Sequence, residues 1–264
     1  MRIVIKAGGT LLDDASTRSA IAREFVEVAR EHELVVVHGG GKQVTRFLAE
    51  RGITSRFVHG LRVSDQPVID AVTKVIAGSV NKELVAAIIA AGESAVGLSG
   101  VDGMLTPATQ LDSDLALVGR PEKTDPRLLN LLVNAGYLPV IACISGDAHG
   151  NIYNINADQM AVSCAIAWCA DQLFFLTDVA GVRIAQGEVI PDLNVGETGG
   201  LVASGVISGG MQAKIEAAGK AVEAGISAVI IAPGQEPEIC RRLLRGENIG
   251  TRLVLQSIPH GSLA

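Results

Sequence analysis

Ile3-Val4-Ile5-Lys6-Ala7-Gly8-Gly9 and, further along, Leu34-Val35-Val36-Val37-His38-Gly39-Gly40-Gly41 share one grammar: an apolar run of strand length, a polar residue, then glycines. Runs that are apolar throughout suit strands covered on both faces, and glycines directly after them suit a tight turn into a helix. Ala95–Leu98, Leu138–Ile144, Leu173–Leu176 and Ala228–Ile231 read the same way. Between them lie helical spacings, such as Ile21, Phe25, Val28 and then Val68, Val72, Val75, Ile76. The alternation predicts an α/β fold, a three-layer αβα sandwich around a mostly parallel central sheet. Two stretches interrupt it. Met104 to Asp125 reads as a β-hairpin excursion, and Val182 to Leu193, with Ala185-Gln186-Gly187 between apolar runs, as a second hairpin. A boundary near residue 170 divides the chain into two lobes, 1–170 and 171–264, on one continuous sheet within a single structural domain.

The bulk numbers narrow the function. The chain has 264 residues, 48% hydrophobic and 19% charged, with 30 glycines, which fits a turn-rich globular protein and not a disordered one. A net charge of −6 argues against a nucleic-acid groove, so an anionic substrate has to be drawn in by local lysines and arginines. The four cysteines, Cys143, Cys164, Cys169 and Cys240, form no CxxC pair, and three sit in apolar runs. They read as reduced core residues of a cytoplasmic protein. The first residues are too soon charged for a signal peptide, and no apolar run approaches the ~20 residues of a membrane span.

Each candidate residue has an ordinary explanation beside a chemical one. Gly8-Gly9 and Gly39-Gly40-Gly41 are tight turns, or they bring backbone N–H groups to an anion at the carboxyl edge of the sheet, where ligands of open α/β folds bind. Neither a G-x-x-x-x-G-K-[ST] loop nor a GxGxxG is present. Lys6 is a solvated strand end, or an ammonium set against transferring negative charge. Lys214 lies in the first turn of a helix, opposing its dipole, and an anion nearby would resolve the conflict. Asp158 starts a helix and has a capping role open to it; Asn154 and Asn156 are ordinary turn formers. Arg62 is a loop arginine, or the donor set for a carboxylate. Thr177 to Val182 either holds a nucleotide or turns into the second hairpin.

Taken together and in order, Lys6-x-Gly8-Gly9, His38-Gly39-Gly40-Gly41, Gly60-Leu61-Arg62-Val63, Gly97-Leu98-Ser99-Gly100-x-Asp102-Gly103, Asn154-Ile155-Asn156-Ala157-Asp158-Gln159, Thr177-Asp178-Val179-x-Gly181-Val182 and Gly209-Gly210-Met211-x-x-Lys214 resemble the amino acid kinase family. Within it they are most similar to the N-acetylglutamate kinases. The resemblance runs from Lys6 to Gly250-Thr251. It implies ATP-dependent phosphorylation of the γ-carboxylate of N-acetyl-L-glutamate, a step of arginine biosynthesis. A carboxylate is ionised at neutral pH, so no general base is required, and His38 becomes structural. What remains is holding two anions in line and stabilising the charge that moves between them.

By this resemblance Lys6 and Lys214 stabilise the transferring charge, and Asp158 orients both ammonium groups. Gly8 and Gly9 bind phosphate. Gly40, Gly41, Arg62 and Asn154 bind the amino-acid substrate in the first lobe. Asp178, Val179, Ala180, Gly181, Val182 and Arg183, with Val206, Ile207 and Ser208, carry ATP in the second, its Mg²⁺ held mainly by the phosphates and by no protein metal site. The resemblance also implies a homodimer through the helix from Val68 to Ala91. An extra N-terminal helix is absent before the first strand, from which weak arginine feedback is expected. Val101, Ala142-Cys143-Ile144-Ser145, Gln212-Ala213 and Ala7 depart from the family pattern and bear on substrate preference. Three alternatives stay open. One is a sister kinase for N-acetyl-aminoadipate, N-succinylglutamate or carrier-linked glutamate or aminoadipate. Another is a glutamate 5-kinase, aspartokinase or uridylate kinase on the same fold. The last is a non-catalytic nucleotide-binding protein.

Overall fold

A computed structural model describes residues 1–184, 187–207 and 209–255. Along the chain, β1 (Arg2–Ala7), α1 (Ala15–Ala29), β2 (Glu33–His38) and α2 (Gly41–Ala49) lead to a two-stranded ribbon, β3 (Phe57–Val58) and β4 (Leu61–Arg62). Next come α3 (Gln66–Val72), a π-helical stretch Thr73–Val80 and α4 (Asn81–Ala90), which run on as one helix. Then follow β5 (Ala95–Ser99), β6 (Ala108–Gln110), β7 (Val118–Pro121), α5 (Arg127–Asn134), β8 (Leu138–Ala142), β9 (Ile144–Gly146), β10 (Ile152–Ile155) and α6 (Ala157–Ala167). The rest is β11 (Gln172–Thr177), β12 (Asp192–Asn194), α7 (Thr198–Ala203), α8 (Gly209–Glu223), β13 (Ala228–Pro233), α9 (Ile239–Leu244) and β14 (Thr251–Val254).

The main sheet has eight strands in the order β12-β14-β13-β11-β1-β2-β8-β5. All its pairs are parallel except β13 with β14. β1 lies in the middle, with Ile3, Val4, Ile5 and Ala7 wholly buried, as a strand roofed on both faces requires. Helices α1, α4 and α9 pack together on one side, and α6 packs on α8 on the other. Cys143, Cys164 and Cys240 are buried free thiols, and Cys169 is exposed.

Each of the apolar runs is a strand, with one change. Leu138–Ile144 is not a single strand: the chain leaves the main sheet at Cys143, and Ile144 opens β9 of a second sheet, β6-β7-β10-β9. There the Ile144 carbonyl accepts from Gly100 N at 2.8 Å and the Cys143 carbonyl from Ile155 N at 3.1 Å, so two different neighbours take over the backbone. The Met104 to Asp125 excursion contains the antiparallel pair β6–β7. In the second excursion Arg183 bridges Val189 in antiparallel fashion, and Ile184 N donates to Glu188 O at 2.9 Å; Ala185 and Gln186 of that expected turn lie outside the described residues. No helix among the described residues is long and apolar enough to cross a membrane.

Candidate active site

The first four N–H groups of a helix have no intrahelical acceptor and must be met by something else. In α6 the Asn156 side chain does this, its Oδ1 accepting from Asp158 N at 2.9 Å and Gln159 N at 3.1 Å. Asp158 is therefore not the cap, and its carboxylate is free to point away from its own helix. It is 7% exposed and faces two ammonium groups. Lys6 Nζ, at the end of the central strand, lies 2.9 Å from Oδ1. Lys214 Nζ, from α8, lies 3.1 Å from Oδ1 and 3.0 Å from Oδ2. Contrary to the expected first-turn position, α8 starts at Gly209 and Lys214 lies in its second turn, where the dipole has fallen off; the anion it meets is Asp158 of another helix.

One buried carboxylate between two buried lysines leaves a net positive charge. Burial alone would raise the Asp158 pKa, but Lys6 and Lys214 outweigh it and hold the carboxyl below its usual range. Lys214 is pushed down to about 8, by burial first and then by the like charge of Lys6, against the pull of Asp158. A reaction that needs the ammonium form of Lys214 should thus lose kcat/KM as pH rises through about 8. A profile flat up to about pH 10 would show that no required group of the free enzyme loses its proton in that range.

Both glycine loops abut this trio. Gly8 donates its N–H to Leu176 O at 2.9 Å, so of the first pair Gly9 keeps its N–H for a ligand. Gly9, Gly39, Gly40 and Gly41 line a cleft of about 240 Å³ together with Lys6, Asp158, Arg62 and Asn154. A Cβ on Gly40 would sit 3.2 Å from Ile76 Cγ1, so a glycine there lets the loop lie against the long helix. Across the cleft, the Arg62 guanidinium is buried and stacks over Phe57 at 4.7 Å. Its Nη2 donates to Gly41 O and Thr45 Oγ1, both at 2.8 Å, and Nη1 to Ser55 Oγ. No carboxylate among the described residues pairs with it, and two of its five N–H donors remain open to an anion. Asn154 Nδ2 donates to Ser64 Oγ at 3.0 Å. A larger cavity, about 750 Å³, lies between α1 and the segment before α9. Glu24, Glu27, Glu236 and Glu238 line it with Arg23 and Arg241, and Arg241 is already paired with Glu27 at 3.0 Å; none of Lys6, Asp158 or Lys214 is in it, so the smaller cleft is the chemical one.

The profile of the amino acid kinase family matches residues 1–232. The chain belongs to the amino acid kinase family. It is 52% identical over 255 residues to an acetylglutamate kinase of Solibacter usitatus, covering 96% of this chain and 99% of that one. It is 42% identical over 236 residues to an acetylglutamate kinase of Jannaschia sp., covering 89% and 83%. Among solved structures, the smu.665 protein of Streptococcus mutans UA159 superposes with a TM-score of 0.82 at 26% identity, covering 97% and 99%. The N-acetylglutamate synthase of Neisseria gonorrhoeae, complexed with coenzyme A and N-acetyl-glutamate, shares the fold with a TM-score of 0.86 at 24% identity. There the match covers 97% of this chain but spans only 60% of the synthase chain.

An amino acid kinase uses ATP, and a second cavity lies at the start of α8. Asp178, Val179, Ala180, Gly181, Val182, Arg183, Val206 and Ile207 line it with Met211, enclosing about 450 Å³. Met211 sits one turn before Lys214 on α8, so one helix borders both the cavity and the trio. Gly181 has φ 149°, and a Cβ there would meet Val189 Cγ1 at 2.7 Å. Ser208 lies outside the described residues. The sequence reading missed Ser64, which is wholly buried, accepts from Asn154 and donates to Arg62 O at 2.8 Å. It also missed Gln43, whose Nε2 holds Gly9 O at 3.1 Å. Only long-range packing of the amino acid kinase fold reveals either.

Proposed function

We propose that this amino acid kinase phosphorylates the γ-carboxylate of N-acetyl-L-glutamate with ATP, a step of arginine biosynthesis. The observation that carries the proposal is Asp158 shared by Lys6 and Lys214, with Lys6 and Asp158 lining the Arg62–Asn154 cleft and Met211, on the helix that carries Lys214, lining the Asp178 to Arg183 cavity. A carboxylate oxygen attacks the γ-phosphorus, the bond from that phosphorus to the bridging oxygen breaks, and ADP leaves with the electron pair. No proton moves. Lys6, Lys214 and the N–H groups of Gly9, Gly40 and Gly41 stabilise the charge in transit, and Asp158 orients both ammonium groups. In this reading residues 1–170 bind the amino acid and 171–264 the nucleotide. Asp158, the one carboxylate among the described residues lining the cleft, is already paired with Lys6 and Lys214, so Mg²⁺ would be held mainly by the phosphates of ATP and would offset their charge there. The protein works in the cytoplasm, away from membranes, as a homodimer through the helix spanning residues 68–91, on which Ile89 is 54% exposed.

Trapping the product with hydroxylamine tests the reading. Hydroxamate from N-acetyl-L-glutamate, with little from free glutamate or N-acetyl-aminoadipate, is the expected result. Signal only from another blocked acid would reassign the substrate, and none from any acid would refute phosphoryl transfer. Arg62→Lys should raise KM for N-acetyl-L-glutamate by roughly 10- to 100-fold and leave the KM for ATP nearly unchanged, because an ammonium's three donors cannot replace the bonds to Ser55, Gly41 and Thr45 and also hold a carboxylate. Initial rates with each substrate varied in turn would show it.

A further inference from the structure

We propose that His38 is a positioning residue of this site: by donating its Nδ1–H to the Gly39 carbonyl it turns the N–H of the same peptide, that of Gly40, into the cleft. The inference rests on reading the cleft as the phosphoryl-transfer site. His38 ends β2 and is wholly buried, with Nδ1 at 2.8 Å from Gly39 O and Nε2 at 3.0 Å from Asn81 Nδ2. Asn81, 1% exposed, decides which ring nitrogen carries the proton. Its Oδ1 accepts from Lys82 Nζ at 3.0 Å, and its Nδ2 also donates to Val140 O at 2.9 Å. The amide is thereby fixed with its donor toward the ring. A ring nitrogen that faces a donor must be bare, so a neutral imidazole carries its proton on Nδ1. Burial, against the pull of the Gly39 carbonyl and with help from the nearby Lys82 charge, lowers the His38 pKa to about 4 and keeps it neutral.

The rest is peptide geometry. A trans peptide is planar, and its C=O and N–H point to opposite sides. With Gly39 O drawn back to the imidazole, the Gly40 N–H faces the cleft that Gly39, Gly40 and Gly41 line. That N–H has no acceptor among the described residues. The supporting residues are built for close approach: a Cβ on Gly97 would lie 2.0 Å from Asn81 Oδ1, and Gly97 O also accepts from Lys82 Nζ at 3.0 Å. Lys82, Asn81, His38 and Gly39 thus form one line from the edge strand β5 to a backbone donor of the active site.

Two readouts test this. In the ¹⁵N-histidine NMR spectrum of the wild-type protein, His38 should be the neutral Nδ1–H tautomer and should not titrate between about pH 5 and 8. An Nε2–H tautomer, or titration in that range, would overturn the proposal whether or not any variant folds. Among variants, His38→Leu keeps an apolar filler but no donor, whereas His38→Asn places an amide N–H near the position of Nδ1. We expect kcat to fall about 10²-fold in His38→Leu with the KM for ATP within about twofold, and most of the loss to be recovered in His38→Asn. Full activity of His38→Leu, or an equal loss in both, would overturn the role. Inactivity of the wild type toward every blocked acid would instead defeat the proposed function, and the tautomer would still decide how the peptide is aimed.

Discussion

Asp158→Asn is expected to lower kcat by about 10³-fold, more than the loss of any single cationic donor, because it unsettles both lysines at once. The carboxylate is the shared partner of Lys6 at 2.9 Å and of Lys214 at 3.0 Å, and all three groups are buried. An isosteric amide keeps the volume and removes the charge, so the two ammonium groups face each other without an anion between them. Breaking a buried pair in this way destabilises by about 3–5 kcal/mol, and the denaturation midpoint should drop accordingly. The pH dependence carries the signature. In the wild type the depressed Asp158 pKa means that its ion pairs stabilise the fold above the unfolded carboxyl pKa and are lost as pH falls through the folded one. In the variant the deficit should shrink as pH rises, since Lys214 loses the Asp158 charge that pulls its pKa up and so holds fewer protons in the folded state than it does in the wild type. Wild-type kcat in Asp158→Asn would remove Asp158 from the mechanism.

Lys214→Ala should cost about 10²-fold in kcat and leave the KM for ATP largely intact, the pattern of a contact made mainly in the transition state. The fold should tolerate it better than it tolerates Asp158→Asn. Removing Lys214 leaves Asp158 paired with Lys6, one negative charge with one positive, and relieves a cation that burial and Lys6 both disfavour. Hence a sharp loss of rate with little change in melting temperature is the expected combination. Unchanged kcat would sink the assignment, and equal losses in kcat and stability would point to a structural lysine. Lys214→Arg separates charge from geometry: a planar guanidinium cannot enter the ammonium's place between Asp158 and the Phe175 ring, 5.6 Å away, so the rate should stay low.

Strand existence was legible because burial on both faces leaves a nearly unbroken apolar run, as in Ile3–Ile5 and Leu173–Leu176. The break at Cys143 was not, since Cys143 and Ile144 are as apolar as the strand before them, and only their partners, Ile155 and Gly100, differ. Lys6, Arg62 and the glycine loops could be picked out where charge or glycine adjoins an apolar run. The residues proposed to hold the nucleotide came from the family resemblance, and the eight that the structure describes line one cavity. Asp158 was ambiguous for a local reason: an acid in a first turn fits a helix whether or not it caps it, and the neighbouring Asn156 turned out to hold the cap. Ser64, Gln43 and the pairing of His38 with Asn81 depend on residues far apart in the chain. No spacing rule announces them.

The π-helical stretch Thr73–Val80 sets the phase of everything after it. A π turn holds an extra residue, so α4 leaves it rotated relative to a continuation of α3 by about 100° per residue inserted. That rotation turns Asn81 inward to His38 and Val140, and Leu84 and Ile88 toward the core. Closing the stretch to ordinary α-helix at its present length, or inserting one more residue, would swing this whole face out of register, whereas deleting one residue as it closes would keep the face in phase. The winding of these eight residues, with Val75, Ile76 and Val80 buried among them, decides which side of α4 meets the core.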